Sequence, residues 1–369
     1  MKIVFLSNIF NHHQKPLSDE LYRLNPDYFF VETEEMHDEQ RNMGYAVAEK
    51  LPYVLTYMHD RLLCDHLIDE ADVVIIGSAP EKLIERRKRN CQLVIRYSER
   101  PLKKKQNLFY YLYRLVRLNL MTPFWKPIYM LCAGAYVASD YKLFGMYMGK
   151  AYKWGYFTSV KEFEPIECVL KEKKENSILW TSRLISWKHP EIAIELAGYL
   201  KDRSIPFEIN IIGTGVCENP LKKMVEKKHL NDDVHLLGVM NPVQVREYME
   251  QSEIFISTSD RMEGWGATVN EAMSSLCAVV ADECIGSVPY LIENGNNGFS
   301  YKTKQELFEI VENLLRDNEK RTEIAKNAYQ TMQNLWNPKV AAARLLALLD
   351  DLGQKGQSDL FETGPCSRA

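Results

Sequence analysis

The feature that most constrains the fold is a repeated alternation of short apolar runs with segments of helical spacing. The runs are rich in Val and Ile and end in polar or glycine residues, as in 2–8 (KIVFLSN), 71–78 (ADVVIIGS) and 91–99 (CQLVIRYSE). Such runs are typical of strands buried on both faces, and strands that alternate with helices form parallel sheets. The pattern therefore predicts a doubly wound α/β fold.

The alternation starts again in the second half of the chain. In the first half, strands are also predicted at 27–31 and 135–140, and helical spacing lies between Glu39 and Asp69. The strands predicted in the second half are 177–183, 207–215, 234–238, 253–259 and 277–283.

Two Rossmann-like domains follow from this restart. We expect an N-terminal domain at 1–160 and a C-terminal domain at 161–336, with a final helix, 337–352, that packs back on the first. The polar tail, 353–369, is predicted to be disordered. Ligands of open α/β sheets bind at the carboxyl ends of the strands, so we expect the two domains to face a cleft lined by strand-end loops.

Composition narrows the class of protein. The 369 residues suffice for two domains, and a net charge of -4 argues against a molecule built as a whole for nucleic acid. The eight cysteines form no C-x-x-C pair and no zinc-like spacing, which is typical of a reducing compartment. No run approaches the roughly 20 apolar residues of a membrane-spanning helix. We expect a cytoplasmic protein with no metal requirement and no prosthetic group.

The most informative segment is Glu263–Glu271 (EGWGATVNE), which follows a predicted strand and opens a helix. Glycines allow a ligand to approach the backbone closely, and the start of a helix offers N–H groups and a positive dipole end to a diphosphate. The candidate nucleotide-binding residues here are Gly264, Trp265, Gly266, Ala267 and Glu271. Glu271 can accept two hydrogen bonds from vicinal hydroxyls, as on a ribose, and Glu263 lies in the loop before the helix. The alternative is an ordinary loop carboxylate and a surface glutamate.

A second group of residues follows the strand at 177–183. Arg183 and Lys188 lie in the loop before the next helix. Two cations at this spacing can clamp a diphosphate and stabilise negative charge on a leaving group, a role that a metal ion plays elsewhere. The alternative is a solvated loop.

These segments resemble the retaining glycosyltransferases of family 4, which have the GT-B fold. The family carries a Glu, then seven residues with early glycines, then a second Glu, and this is the spacing of Glu263 and Glu271. The late turn at 292–299 (IENGNNGF) is also similar. The resemblance implies that Glu263 lies beside the donor sugar, that Glu271 binds the ribose, and that Arg183 and Lys188 serve catalysis. It also implies that loops at Gly213, Val239 and Met240 hold the nucleotide base.

The N-terminal domain is expected to hold the acceptor. Asn8 and His13 follow the first strand and offer hydrogen bonds to donor sugar or acceptor; otherwise His13 is a capping or packed histidine. Glu99 and Arg100 end another strand and could orient the acceptor, unless they form an internal ion pair.

Residues 86–126 mix cations with aromatic residues. On an amphipathic helix this composition suits an anionic membrane surface, and its alternative is a solvated basic face above core aromatics. No recognition motif supports nucleic-acid binding here.

The expected function is transfer of a hexose-type sugar, with retention, from a nucleoside-diphosphate sugar to a glycan or lipid-linked acceptor in bacterial surface polysaccharide synthesis. A UDP-sugar is favoured over a GDP-sugar as the donor. The rival functions are a sugar-nucleotide epimerase on the same fold and a non-catalytic donor-binding subunit.

Overall fold

The computed structural model describes residues 1–37, 47, 49–103, 108–123 and 125–369. These residues divide into two compact units, each with its own sheet. Unit 1 comprises Met1–Thr158 and Leu335–Ala369, and unit 2 comprises Ser159–Asn334. Part of the helix predicted between Glu39 and Asp69 lies outside the described residues.

The described part of unit 1 contains a parallel sheet of seven strands in the order β3-β2-β1-β4-β5-β6-β7. β1, β4 and β6 are buried along their whole length, as expected where helices cover both faces of a sheet. The strands are β1 (Ile3–Ser7), β2 (Tyr28–Glu32), β3 (Val54–Thr56), β4 (Val73–Ile76), β5 (Leu93–Ser98), β6 (Ile128–Ala133) and β7 (Ala151–Trp154).

Unit 2 contains a parallel sheet of six strands in the order β10-β9-β8-β11-β12-β13. The strand order reverses between the central neighbours β8 and β11, which makes this the topological switch point of the sheet. The loops that follow these two strands therefore frame the position where doubly wound sheets bind ligands. The strands are β8 (Lys174–Thr181), β9 (Glu208–Ile212), β10 (Val234–Gly238), β11 (Ser252–Ser257), β12 (Ala278–Asp282) and β13 (Phe299–Tyr301).

Helices connect the strands and cover both sheets. In chain order the described α-helices are α1 (Lys15–Leu24), α2 (Arg61–Glu70), α3 (Glu85–Arg89), α4 (Leu108–Met121), α5 (Val137–Lys142), α6 (Ile166–Glu172), α7 (Glu191–Asp202), α8 (Glu218–Lys227), α9 (Pro242–Gln251), α10 (Ala267–Met273), α11 (Val288–Leu291), α12 (Lys304–Arg316), α13 (Asn318–Asn334) and α14 (Pro338–Lys355). Throughout the described ranges, we find no helix whose length and apolar character would let it cross a bilayer.

The predicted doubly wound α/β class is confirmed, but one predicted strand is wrong. Residues 135–140 fall largely in α5, and the buried strand of this region is β6, which precedes them. Gly134 separates the two with a φ of 120°, a conformation that residues with a Cβ rarely adopt. The apolar residues after Gly134 therefore turn into a helix instead of extending the strand.

The last helix, α14, belongs to unit 1 and packs against α1. Asn337 begins it as an N-cap whose side-chain oxygen accepts a hydrogen bond from the backbone N–H of Val340. Seven residues along α14 are buried: Pro338, Ala341, Ala342, Leu345, Leu348, Leu349 and Leu352. The last helix is therefore part of unit 1.

The predicted disorder of 353–369 is wrong. The helix continues to Lys355, and the segment beyond it lies along β7, where Tyr152 and Arg368 form an antiparallel bridge. The backbone of Lys153 exchanges hydrogen bonds with Ser367 (2.7 Å) and Cys366 (2.8 Å). The tail is ordered because it satisfies the open edge of the sheet and buries the Cys366 side chain. Composition alone does not reveal such a partner.

Candidate functional site

The loop after β8 carries both predicted cations. Arg183 is exposed, whereas the side chain of Lys188 is only 12% exposed. Both lie near the ring of Trp187: the Arg183 guanidinium is 5.8 Å and the Lys188 ammonium 4.5 Å from its centroid. The negative face of an indole attracts cations, so Trp187 helps to hold two positive charges at one point of the loop.

Lys188 forms an ion pair with Glu263, whose side chain is 15% exposed. Glu263 lies in the loop after β11, and the pair therefore joins the two loops at the switch point of unit 2. Two predicted site residues 75 positions apart are thus in direct contact. Because water is largely excluded from the pair, each charge depends on its partner or on a ligand that replaces it.

Gly213 and Gly215 pack closely against the loop that carries Arg183 and Lys188. A Cβ on Gly213 would lie 1.9 Å from the carbonyl oxygen of Ser182, and one on Gly215 would lie 2.4 Å from that of Leu184. Both glycines have positive φ, 142° and 156°. The loop that bears Arg183 can take this path only because neither residue has a side chain.

The base-binding candidates lie beside these glycines. Gly213 donates a backbone hydrogen bond of 2.8 Å to Gly238, whose carbonyl directly precedes Val239. Val239 is exposed and Met240 is half-buried. The structure thus places Gly213, Val239 and Met240 together at the ends of the adjacent strands β9 and β10.

The Glu263–Glu271 segment forms a loop that enters α10. Gly266 caps the helix with a φ of 90°, and a Cβ there would lie 2.7 Å from a methyl carbon of Ile285. Gly264 is buried, and Ala267 is the first helical residue. Glu271 lies within α10 and is half-buried.

One predicted donor contact in this segment is corrected. Trp265 is 0% exposed, and its indole N–H donates a 2.9 Å hydrogen bond to the side-chain oxygen of the equally buried Asn270. A hydrogen-bonded indole in the core cannot stack on a nucleotide. Trp265 is therefore a structural residue of the α10 entry, and only its backbone remains available to a ligand.

In unit 1, His13 lies on the loop after β1, in the wall of a cavity of about 100 Å³. Tyr97, Trp154 and Tyr156 also line this cavity, and the rings of His13 and Tyr156 are stacked 6.4 Å apart. Burial lowers the pKa of His13 from its ordinary 6.5 to about 4, so the imidazole is neutral near pH 7. Asn8 precedes this loop, and its backbone carbonyl accepts hydrogen bonds from the backbone N–H groups of Thr33 and Glu34.

Glu99 and Arg100, the second pair of acceptor candidates, have different partners in the structure. Glu99 accepts hydrogen bonds from the Tyr156 hydroxyl (2.7 Å) and from Lys103 (2.6 Å), which places it close to the His13 cavity. Arg100 instead forms two hydrogen bonds of 3.2 Å with Asp140, and both side chains are nearly buried. The prediction for Arg100 is therefore corrected: the internal ion pair, which the sequence left open, occupies its guanidinium.

The basic run 86–126 consists of two parts that differ in exposure. Arg87 is fully buried and donates to backbone carbonyls that include those of Ala71 (2.7 Å) and Ile68 (2.9 Å), while Arg86 pairs with Asp69. These cations are structural. By contrast, α4 exposes an apolar stripe, which keeps this part of the run a candidate surface: Phe109, Leu112, Tyr113, Val116 and Leu120.

Sequence reasoning missed several residues around these sites. Trp187 could have been noticed, because it lies between Arg183 and Lys188 in the same loop. Nothing in the local sequence marks Thr258 or Tyr156, whose neighbours come from distant parts of the chain. Across the described ranges, no three His, Cys, Asp or Glu side chains are grouped as a metal site.

Comparison with known proteins agrees with this architecture. The two parallel α/β units have the GT-B fold of glycosyltransferases. A crystal structure of Anabaena HepE in complex with UDP shares the fold, with a TM-score of 0.67 and 16% identity over 95% of this chain and 100% of that one.

Residues 164–331, which carry all the unit 2 candidates, match the family described as "Glycosyl transferases group 1". The amylovoran biosynthesis glycosyltransferase AmsK of Erwinia amylovora is 34% identical over 127 residues, 33% of this chain and 31% of that protein. A Campylobacter jejuni N,N'-diacetylbacillosaminyl-diphospho-undecaprenol alpha-1,3-N-acetylgalactosaminyltransferase is 32% identical over 206 residues, 52% of each chain. The chain thus spans about half the length, or less, of the curated relatives that it matches.

Proposed function

We propose that this protein is a glycosyltransferase that moves a sugar from a nucleoside-diphosphate donor to a glycan or lipid-linked acceptor in bacterial surface polysaccharide synthesis. The observation that carries the proposal is the Lys188–Glu263 ion pair at the switch point of unit 2, with Arg183 beside it. The named relatives, which include enzymes of surface polysaccharide synthesis, support the reaction class.

Each residue of this site has a role that its position allows. Lys188 and Arg183 bind the diphosphate and stabilise the charge that develops on it as the sugar leaves. Glu263, already paired with Lys188, accepts hydrogen bonds from the sugar hydroxyls. Glu271 binds the ribose, and the loops at Gly213, Val239 and Met240 receive the base.

The finer proposal is a hexose-type sugar, a UDP donor and retention of the anomeric configuration. The leaving phosphate takes the proton of the acceptor hydroxyl on the same face of the sugar, so no side chain has to act as a general base. The UDP complex of HepE supports the use of a nucleotide-sugar donor. Proton NMR of the product tests retention, because the coupling constant of the anomeric proton distinguishes the two products.

The central test is the variant Lys188→Ala. Removing a preorganised charge-stabilising group of this kind lowers kcat by about 10²- to 10³-fold. Lys222→Ala is the matched control, because Lys222 is also paired with a glutamate of unit 2 but on the exposed surface of α8. Near-normal turnover by Lys188→Ala would remove the charge-stabilisation role, and conversion of the donor without any acceptor would indicate an epimerase instead.

The acceptor side of the proposal rests on unit 1. His13 and Tyr156 line one cavity, and Glu99 is hydrogen-bonded to the Tyr156 hydroxyl. A neutral imidazole beside aromatic rings suits an uncharged sugar ring better than an anion. Asn8, directly after β1, stays a candidate for the sugar or acceptor side, whereas the guanidinium of Arg100 is occupied by its pair with Asp140.

We also assign a membrane contact to α4, at the cytoplasmic face. Arg100 and Lys103 are paired with Asp140 and Glu99, and the sequence between Lys103 and Asp140 has no acidic residue but five further Lys and Arg. Exposed apolar side chains on α4, among them Phe109 (84% exposed) and Leu120 (76%), lie next to this excess of positive charge. A surface that combines cations with an apolar stripe is attracted to anionic lipid.

Vesicle sedimentation tests the membrane contact. We expect binding to vesicles that contain phosphatidylglycerol and little binding to pure phosphatidylcholine, with the difference reduced by salt. Val116→Glu on the α4 stripe should abolish binding, whereas Leu62→Glu, which places the same charge at an exposed apolar residue of α2, should not. Equal binding by both variants would refute the assignment.

A further inference from the structure

Thr258 follows β11 directly, and only 2% of it is exposed. Its hydroxyl accepts a 2.8 Å hydrogen bond from the indole N–H of the buried Trp180. The same oxygen lies 2.7 Å from the carbonyl oxygen of Lys188 and 3.0 Å from that of His189. A hydroxyl has one proton, so it donates to one of these carbonyls at a time and keeps both within reach.

The two carbonyls flank a strained residue. His189 has φ 50° and ψ 50°, the left-handed conformation that residues with a Cβ avoid unless their surroundings hold them there. This turn brings the Lys188 and His189 carbonyls towards the same hydroxyl. A second link supports it, since the backbone N–H of Asp260 donates a 3.0 Å hydrogen bond to the Trp187 carbonyl.

These contacts fix the backbone from which the Lys188 side chain extends. The ammonium has to meet both Glu263 and a diphosphate, and displacements of about 1 Å in such groups lower rates by up to 10²-fold. The hydrogen bonds of the Thr258 hydroxyl are with Trp180 and with the backbone of residues 188 and 189. Its effect therefore has to pass through Lys188.

We propose that Thr258 is a positioning residue that sets the orientation of Lys188 by bonding the turn at His189. The inference rests on the glycosyltransferase function proposed above. In this role the buried hydroxyl of Thr258 raises the rate of the step in which the leaving group departs, and it does so through Lys188.

The test is a double-mutant cycle on kcat/KM, measured with a radiolabelled nucleotide sugar. Thr258→Val keeps the shape of the side chain and removes the hydroxyl, and Thr258→Ser keeps the hydroxyl. We expect Thr258→Val to lower kcat/KM about tenfold in the wild-type background and less than about twofold in a Lys188→Ala background. Thr258→Ser should stay within about threefold of the wild type. If Thr258→Val does not fold, Thr258→Cys, with its weakly donating thiol, replaces it.

The outcomes separate the two proposals. Equal losses in the wild-type and Lys188→Ala backgrounds would show that Thr258 acts only on stability and would overturn the positioning role. Unchanged kcat/KM in Thr258→Val would overturn it as well. A wild-type protein that neither binds a nucleoside diphosphate nor turns over a donor would overturn the glycosyltransferase function, and this inference with it.

Discussion

Gly213 has the closest backbone approach that bears on the candidate site. A Cβ added at Gly213 would lie 1.9 Å from the Ser182 carbonyl oxygen, against an ordinary contact of at least 3.4 Å. In the variant Gly213→Ala the loop would have to retreat by about 1.5 Å. Arg183 follows Ser182 directly, and Lys188 lies further along the same loop, so both cations would be displaced with it.

Gly238→Ala provides the matched control. Gly238 also has a positive φ, 76°, but a Cβ there meets nothing within 4 Å. The control therefore carries only the backbone strain, about 1 kcal/mol, whereas Gly213→Ala adds an overpacking cost of about 1 to 3 kcal/mol. We expect Gly213→Ala to lower the free energy of unfolding by about 3 kcal/mol in total.

Urea denaturation followed by tryptophan fluorescence measures this difference, and donor turnover measures the displaced loop. A shift of about 1 Å at catalytic groups costs up to 10²-fold in rate, so Gly213→Ala should lose turnover at temperatures where it remains folded. Gly238→Ala should keep most of its turnover. If the two variants unfold at the same urea concentration and are equally active, the close approach does not shape the site.

Three further predictions concern stability. Burial depresses the pKa of His13, so the unfolded chain binds a proton at a higher pH than the folded chain. The free energy of unfolding should therefore fall as the pH drops from about 6.5 towards 4, by roughly 3 kcal/mol at most. Urea titrations at each pH should show a smaller loss in a His13→Gln variant. The Lys173 ammonium has three protons and lies within 2.6 to 3.2 Å of four backbone carbonyl oxygens. Lys173→Met should cost about 3 kcal/mol in the same assay, while Lys171→Met, at an exposed position, should cost almost nothing. Removal of 357–369 should lower the free energy of unfolding by at least about 2 kcal/mol. It should also leave β7 as an open edge through which molecules associate, and size-exclusion chromatography would detect this association. A truncated protein that stays monomeric and equally stable would contradict the role of the tail at this edge.

Much of the fold could be predicted because burial leaves a local record in the sequence. A strand covered on both faces needs consecutive apolar residues, and this requirement made β1, β4 and β11 visible. The strands β3 and β13 have three residues each, which is too few to form a recognisable apolar run in the sequence. The strand predicted at 135–140 failed because one glycine, Gly134, changed the backbone direction within an apolar stretch.

The candidate site was predictable to a similar degree. Arg183, Lys188 and Glu263 lie in strand-end loops, and the geometry of parallel sheets places such loops at one edge. Their roles stay predictions that the proposed variants test. Trp265 and Arg100 had the right residue types for ligand contacts, but their surroundings, Asn270 and Asp140, place them in structural roles.

The sequence by itself therefore determined the class of fold and the loops in which chemistry can occur, since both depend on local patterns of burial and turn residues. The tertiary structure decided which charges meet. Lys188 pairs with Glu263 across 75 residues, and Thr258 reaches the backbone of Lys188 across 70. Both contacts form because β8 and β11 are neighbours in the sheet, although two strands and three α-helices separate them along the chain. Strand order arises from packing of the whole unit, and no local pattern of residues encodes it.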